Sequence, residues 1–280
     1  MKNHTYYIDN ISYEVALDDT QEYITGSNVV LSNEKSDVTY FQDWYNQGYT
    51  IQQFLNDKEF IEVKQGVTQC IKNLIEDTLN IQIFDFKLED YHNIITNSDD
   101  HYKIVSKTRD LFPKDFSFSI DEIIPRFEDI LNFPLTDIDP NSGWKAYIIL
   151  RINRPYSNDY NPPHKDIYEH YDGESYIPKF INFWVPICGV TQKSMLPISP
   201  KTHKLPENLI LRTNVGSYIG ENKYRVRAIK EWEGKVNLYR YPIKYGQVLI
   251  FSPHLIHGLA INGEPNTTRV SLEFRLYKHE

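Results

Sequence analysis

The chain has 280 residues, with 30 Lys and Arg against 38 Asp and Glu, which gives a formal net charge of −8 at pH 7. This acidic balance argues against general binding to nucleic acids or anionic membranes, because both attract basic surfaces. The length suits one large domain. Cys70 and Cys188 are too few for a disulfide framework, no secretory leader or membrane-spanning run stands out, and a cytoplasmic location is expected.

The first part of the chain carries signals for a hairpin and then for helices. Residues 1–37 alternate weakly and predict an edge strand or hairpin, whereas residues 38–47 predict a short helix that ends at Gly48. Asn56 and Glu59 have the spacing of a capping box at the start of a longer helix. The apolar side chains of that helix recur at three- and four-residue steps: Phe60, Val63, Val67, Cys70, Ile71 and Leu74.

Two more helices are expected before residue 135. One is predicted over residues 101–111, and Ser119 with Glu122 indicates the start of another. Pro125 forces that helix either to start later or to kink. Residues 38–135 are therefore predicted to be the mainly helical part of the chain.

Short strands dominate the rest of the sequence. Many short strands that close on themselves indicate a double-stranded β-helix, the jelly roll of cupin-like proteins, as the catalytic core over residues 140–280. Helices followed by strands predict an α+β class in which the N-terminal helices pack on one sheet. No linker divides the chain, so residues 1–280 are expected to form a single domain. The predicted strands are residues 145–153, 180–187, 208–212, 235–241, 247–251 and 268–277.

Two of these strands lead into segments that end on histidines. The stretch WKAYIILRINRPYSNDYNPPHKD runs from an apolar strand through a proline-rich corner to His164 and Asp166, and GQVLIFSPHLIHG ends at His257. Residues i and i+2 of a strand point to the same side, so His164 and Asp166 can act together. Two histidines and one carboxylate in H-x-D…H order form the facial set that binds Fe(II) and leaves three positions open. Arg269, twelve residues after His257, can hold a dicarboxylate with a bidentate ion pair.

The order P-P-H-K-D, then H-G, then an R-x-S that begins at Arg269 resembles the iron and 2-oxoglutarate dependent oxygenases, specifically their phytanoyl-CoA dioxygenase-like branch. The resemblance covers roughly the second half of the chain. It implies Fe(II) and 2-oxoglutarate as cofactors and molecular oxygen as a partner, with Arg269 and the Ser271 hydroxyl anchoring the distal carboxylate of 2-oxoglutarate. The catalytic metal ligands that it implies are His164, Asp166 and His257.

The same resemblance narrows the reaction. Related halogenases replace the metal-binding carboxylate by a small residue, so Asp166 implies hydroxylation or a related oxidation such as desaturation. Part of the stretch before the motif is similar to oxygenases from bacterial surface-carbohydrate and antibiotic-sugar gene clusters. This similarity implies a sugar or nucleotide-sugar-like substrate, with an amino acid or peptide natural product as the second choice.

Several residues compete for these roles. His170 and Asp172 have the same H-x-D spacing as the favoured pair, and His254 precedes the favoured distal histidine by three residues. An extended chain points residues three apart to opposite faces, so His254 is expected to cap or support the site. Arg275 shares a strand face with Arg269 and is the alternative anchor for the carboxylate.

Further contacts are predicted from strand faces. The strand before the motif has one polar face, so Tyr147 and Arg151 are candidate contacts of cosubstrate or substrate. On the strand INFWVPI, Asn182 and Trp184 share a face; Trp184 is a candidate cosubstrate contact, although a tryptophan there is more often part of the core. Residues 212–230 are basic and aromatic, and they predict either a solvated strand face or a lid over an anionic or sugar-like substrate.

The family often shows a P-G-S-H segment after the INFWVPI strand. Here the segment reads Ser199-Pro200-Lys201-Thr202-His203, so His203 takes the histidine position but the glycine is missing. The local loop geometry is therefore open.

Two other classes of protein compete with the oxygenase. One is a cupin-type sugar isomerase or epimerase, whose His and Glu ligands usually cluster on one strand. The other is a non-enzymatic jelly-roll protein that binds carbohydrate, which the 21 tyrosines would suit. A complete triad followed by an arginine at the right spacing favours the oxygenase over both.

Overall fold

The structure is a computed structural model that describes residues 2–17, 20–118, 122–169, 177–219, 222–224 and 226–279. It is a mixed α+β fold in which curled antiparallel sheets dominate, as the α+β prediction requires. Its elements up to residue 136 are β1 (Lys2–Ile8), β2 (Ile11–Leu17), β3 (Tyr23–Ile24), β4 (Tyr49–Gln53), α1 (Asp57–Leu79), α2 (Tyr91–Ile94), α3 (Ser98–Lys107), α4 (Ile124–Leu131) and β5 (Leu135–Thr136).

The later elements are short strands, as predicted. Each predicted segment contains a strand, although several strands are shorter than expected and others were not predicted. They are β6 (Ile148–Asn153), β7 (Phe180–Cys188), β8 (Ile198–Ser199), β9 (Ile210–Thr213), β10 (Ser217–Ile219), β11 (Asn222–Tyr224), β12 (Ile229–Trp232), β13 (Asn237–Leu238), β14 (Gln247–Phe251), β15 (Ile256–His257) and β16 (Arg269–Lys278).

The expected N-terminal hairpin is present. Strands β1 and β2 pair antiparallel along their full length. Asp9 and Asn10 connect them, and both have positive φ, 53° and 66°. A two-residue hairpin loop with positive φ at both positions matches the right-handed twist of the strands.

The predicted helix over residues 38–47 is wrong. The segment forms successive turns whose backbone bonds span three residues, as from Tyr40 to the carbonyl of Asp37 at 3.1 Å, so the four-residue ladder of an α-helix is missing. The Asp37 carboxylate accepts bonds from both the amide and the hydroxyl of Thr39, and such local side-chain bonding competes with helix formation.

The capping box of α1 is confirmed. The Asn56 side chain accepts from the Glu59 amide at 3.1 Å, and the Glu59 carboxylate accepts from the Asn56 amide at 2.8 Å. These two bonds satisfy amides that have no partner within the helix. The helix ends where Asn80 adopts a left-handed conformation with φ of 53°.

The other two helices begin at different residues from those predicted. Helix α3 starts at Ser98 rather than 101, because the Asn97 side chain accepts from the Asp100 amide and caps it. Helix α4 starts late, with Pro125 in its first turn, where a missing amide costs nothing; Ser119 lies outside the described residues. No helix in the described ranges has the length and apolar character needed to cross a membrane.

The main sheet has the strand order β4-β14-β7-β16, and β6 and β5 both pair with the free edge of β16. Side chains alternate across β16, so that its apolar residues Val270, Leu272, Phe274 and Leu276 face the core formed with the helices. Its opposite face carries Arg269, Ser271, Glu273 and Arg275. One face of the sheet therefore packs on helices, as predicted, and the other presents polar groups.

Smaller sheets complete the fold. One has the order β11-β10-β2-β1-β13, another β12-β9-β3, and β8 pairs with β15. Parts of residues 212–230 thus belong to four strands, β9 to β12, and Arg225 lies outside the described residues. Arg212 of this segment is buried at 3.3 Å from the Glu207 carboxylate instead of facing solvent.

An aromatic cluster joins α4 to the sheet. The ring of Phe127 lies 4.5 Å from that of Phe54, 4.1 Å from that of Phe183 and 5.3 Å from that of Phe274, centroid to centroid. Phe127 is fully buried, so its ring contributes both apolar burial and aromatic packing.

Truncating this ring tests how much the helix stabilises the sheet. We expect Phe127→Ala to lower the free energy of unfolding by about 3–5 kcal/mol, because it leaves a cavity in a close-packed core. Urea unfolding followed by circular dichroism measures the change, with the exposed Phe84→Ala as control. Equal stability of the two variants would contradict this account of the packing.

Candidate metal centre and adjoining cavity

Three side chains that the sequence singled out come together in the structure. His164, Asp166 and His257 each offer one ligand atom, and these atoms all lie within 4.8 Å of one another. The Asp166 carboxylate is 3.4 Å from His164 Nε2 and 3.6 Å from His257 Nε2. All three residues are buried. Buried groups of this kind are the donors that a divalent transition metal prefers.

Backbone pairing sets the distance between the two histidines. The His164 amide donates to the His257 carbonyl at 2.9 Å, and the His257 amide donates to the His164 carbonyl at 3.1 Å. The two rings consequently lie side by side, with centroids 4.3 Å apart. His164 and His257 are thus a hydrogen-bonded pair of an antiparallel ladder.

The histidine tautomers suit metal binding through Nε2. His164 Nδ1 lies 2.7 Å from the Pro162 carbonyl and His257 Nδ1 lies 3.0 Å from the Leu255 carbonyl. A carbonyl only accepts, so each Nδ1 carries a proton that it donates, and each Nε2 is the ring nitrogen on the Asp166 side, where a metal could bind. Burial, with His164 close by, lowers the pKa of His257 to about 4, so its ring is neutral at pH 7.

Gly258 allows the two histidine segments to approach each other. It has φ of 138°, and a Cβ at this position would lie 2.4 Å from the Pro162 carbonyl oxygen. Packing therefore explains the glycine that follows His257, since any side chain at Gly258 would push the segment of His164 away from that of His257.

The charge of Asp166 is stabilised by its neighbours. Burial alone would raise the pKa of this carboxyl, but Arg275 and then His257 outweigh burial and hold the pKa well below its usual range. Arg275 Nη2 lies 2.8 Å from Asp166 Oδ1. Asp166 is therefore ionised at neutral pH, as a metal-binding carboxylate must be.

The residue between the two motif ligands points the other way. Lys165 is fully buried, and its Nζ lies 3.0 Å from the Glu207 carboxylate. Glu207 also accepts from the Tyr168 hydroxyl at 2.6 Å. A buried charge needs such partners, and this pair ties the H-K-D segment to the loop before β9. Sequence reasoning missed Glu207, although a lysine between two inward-facing ligands is a signal that a buried acid lies opposite.

The three clustered residues open onto a cavity of about 460 Å³. The polar face of β6 lines it, as expected, and so do Tyr147 and Arg151. The Arg151 guanidinium is 2.8 Å from the Glu273 carboxylate. Among residues 212–217 and 226–230, whose side chains the structure describes, none lines the cavity, and the lid stays a prediction.

Arg269 is a buried arginine on the cavity wall. It is 1% exposed, and its Nη1 donates to Ser271 Oγ at 2.7 Å while its Nη2 is 3.4 Å from the Ala260 carbonyl. Its Nε has no hydrogen-bond partner, and within the described residues no carboxylate pairs with it. Burial lowers the pKa of the Arg269 guanidinium to about 10, so it still carries its charge.

Two more buried donors line the same cavity. Trp184 Nε1 and Asn182 Nδ2 have no hydrogen-bond partner among the described residues. The Trp184 ring lies 5.7 Å from the Arg269 guanidinium carbon. Unpaired buried donors are costly, and three on one wall indicate a ligand rich in acceptor oxygens.

The structure also places the competing residues. His254 lies apart from the three clustered side chains; it interacts electrostatically with Asp37, and its Nε2 faces the Ser36 carbonyl at 3.4 Å. Arg275 has carboxylate partners of its own, whereas Arg269 has none among the described residues. His170 and Asp172 lie outside the described residues.

The loop without its expected glycine keeps a glycine-like conformation. Lys201 has φ of 70°, in the left-handed region, and it brings His203 into the interior. The His203 ring packs edge-on against Tyr45, with centroids 4.8 Å apart. Burial lowers the pKa of His203 to about 4.

Three solved structures illustrate what the chain is similar to. AviO1 from Streptomyces viridochromogenes Tue57 is 12% identical, covers 89% of this chain and 96% of its own, and has a TM-score of 0.48. The epimerase SnoN in complex with Fe3+, alpha ketoglutarate and nogalamycin RO is 13% identical, with 84% and 80% covered and a TM-score of 0.44. The non-heme alpha ketoglutarate dependent carbocyclase SnoK is 10% identical, with 90% and 87% covered and a TM-score of 0.43.

No protein-family model and no curated protein matches the chain. Similarity as distant as this leaves the geometry of the site itself as the basis for a function.

The close approach at Gly258 gives a stability test. We expect Gly258→Ala to lower the free energy of unfolding by about 3 kcal/mol, because the new Cβ clashes with backbone. Gly234→Ala is the matched control: Gly234 also has positive φ, 68°, but nothing lies within 4 Å of its Cβ position. It should lose only about 1 kcal/mol. Equal losses in chemical denaturation would show that the clash at Pro162 is relieved without cost.

The burial of His203 gives a pH test. An unfolded histidine binds a proton near pH 6.5, whereas folded His203 binds one only near pH 4. Because the unfolded chain binds more protons in this range, the free energy of unfolding falls as the pH falls below 6.5. From pH 8 to pH 5 we expect His203→Phe to lose about 2 kcal/mol less stability than the wild type. Parallel curves of unfolding free energy against pH would contradict this assignment.

Proposed function

We propose that the protein is a non-haem Fe(II) and 2-oxoglutarate dependent oxygenase with a jelly-roll core over residues 140–280 of a single domain. The observation that carries the proposal is the combination on one cavity wall. A buried His-Asp-His cluster faces the same space as Arg269, a buried arginine without a carboxylate partner in the described chain. Neither feature has a structural reason to accompany the other unless a metal and an anion bind side by side.

The donor set fits a divalent iron. His164 and His257 would bind it through Nε2, and Asp166 would bind it through a carboxylate oxygen, which leaves one side of the metal facing the cavity. Bound iron with 2-oxoglutarate supplies the activation of molecular oxygen that oxidises the substrate. The protein contributes the neutral His257 ring, the ionised Asp166 and the backbone carbonyls that orient both imidazoles.

The unpaired donors fit 2-oxoglutarate. We assign the distal carboxylate to Arg269, whose guanidinium the Ser271 hydroxyl orients, with Trp184 and Asn182 as further donors on the same wall. A dicarboxylate would offset the cost of burying the Arg269 charge. Tyr147 is partly exposed on the cavity wall, and we assign it to the substrate side.

The outer cavity favours a ring-containing substrate. Exposed tyrosines Tyr102 and Tyr156 line it and offer amphipathic surfaces for stacking. Two of its charged groups pair with each other, since the Arg154 guanidinium lies 2.9 Å from the Asp159 carboxylate. We infer a sugar or nucleotide-sugar-like small molecule as the first candidate. An amino acid or peptide natural product is the second candidate, and Asp166 favours hydroxylation or desaturation.

An anaerobic titration tests the class of protein. We expect wild type with Fe(II) and 2-oxoglutarate to show the weak visible charge-transfer band of an iron-bound 2-oxo acid. Four variants should lose the band or bind 2-oxoglutarate at least about tenfold more weakly, because each lacks a metal ligand or the carboxylate anchor. They are His164→Ala, Asp166→Ala, His257→Ala and Arg269→Ala.

His254→Ala is the control for this titration, since His254 is buried nearby but lies outside the metal cluster. It should keep the band. If wild type binds iron but shows no band, the cosubstrate assignment fails, and a cupin-type sugar enzyme or a metal-containing carbohydrate-binding protein becomes the better explanation.

A further inference from the structure

Arg275 reaches the metal centre from β16 without being available to a cosubstrate. Its Nη2 is 2.8 Å from Asp166 Oδ1, and its Nη1 is 2.8 Å from Glu169 Oε2. One guanidinium thus bridges two carboxylates from a single short 3-10 turn, Asp166–Glu169. Because a planar guanidinium presents its donors in a fixed fork, it fixes both carboxylates relative to each other.

The arginine is itself held in place. Its side chain is 18% exposed, and its guanidinium carbon lies 5.1 Å from the centroid of the Phe180 ring. Its backbone pairs with that of Asn182 in the centre of the main sheet. Anchoring on a central strand gives this side chain little freedom to leave the carboxylates.

Glu169 is a potential fourth protein ligand. It follows Asp166 by three residues and interacts electrostatically with both Asp166 and His164. It nevertheless lies outside the cluster whose ligand atoms are mutually within 4.8 Å. A second carboxylate on the metal would occupy a position that a chelating 2-oxo acid and oxygen require, since the facial set works by leaving three positions open.

We propose that Arg275 is a positioning residue that directs Asp166 towards the two histidines and withholds Glu169 from the metal. This inference rests on the proposed function, because it assigns a role in keeping coordination positions open. The two arginines on this face of β16 then have different roles. Arg269, with no carboxylate partner in the described chain, receives the cosubstrate, while Arg275 is occupied by protein carboxylates.

Binding of 2-oxoglutarate to Mn(II)-loaded protein tests the role without turnover. In Arg275→Gln we expect Glu169 to enter the coordination sphere, which weakens 2-oxoglutarate binding about tenfold in calorimetry. The Co(II)-loaded variant should show altered visible absorption bands, because the ligand number changes. Arg275→Lys should fall in between, since an ammonium cannot bridge both carboxylates in the same geometry.

A double variant separates withholding from packing. In Arg275→Gln/Glu169→Gln the competing carboxylate is gone, so 2-oxoglutarate affinity should return to within about threefold of wild type. The control is Arg126→Gln, which removes an arginine–carboxylate contact far from this face of β16. There, Arg126 of α4 lies 2.6 and 2.8 Å from the two carboxylate oxygens of Glu59 of α1. It should leave the affinity unchanged.

The outcomes distinguish this inference from the proposed function. A double variant as weak as Arg275→Gln, or an Arg275→Gln that binds as wild type does, overturns the withholding role. If wild type itself binds neither Mn(II) nor 2-oxoglutarate, the proposed oxygenase fails instead.

Discussion

The site depends on two backbone hydrogen bonds, those between His164 and His257. They join segments almost a hundred residues apart in sequence and bring both imidazoles to one carboxylate. Gly258 permits this approach, and buried Lys165 with Glu207 fixes the segment from behind. The backbone pairing of the two segments and the groups that hold them in place therefore determine the geometry of the metal ligands, and the ligand rotamers follow from that geometry.

Side chains alternate between the two faces of the main sheet, so one face contributes to stability and the other to the site. On β16, apolar side chains pack on the helices, while Arg269, Ser271, Glu273 and Arg275 face the cavity side. Charges on that side are mostly neutralised in pairs, as Arg151 is by Glu273. Arg269 has no such carboxylate among the described residues, and it lies beside two donors that are also unpaired there. Burying these groups costs folding free energy, so we attribute them to ligand binding.

Sequence predicted what depends on local rules. The capping box of α1 and the strand alternation follow from spacings of two to four residues. His164 and Asp166 do lie together, but the strand expected there is absent, because Asp166 begins a 3-10 turn. Partners far apart in sequence were not predictable: Arg275 meets Glu169 across 106 positions and Lys165 meets Glu207 across 42. The wrong helix prediction at 38–47 involves both ranges, since Asp37 accepts locally from Thr39 and also from the Ser252 hydroxyl 215 positions away.

Titration of 2-oxoglutarate into Mn(II)-loaded and metal-free wild-type protein tests the central claim most directly, that the metal cluster and Arg269 form one chelating site. The account predicts a single site whose affinity is at least about tenfold higher with the metal, because metal and arginine each hold one end of the same molecule. Equal affinity in both forms, or no binding in either, would contradict it.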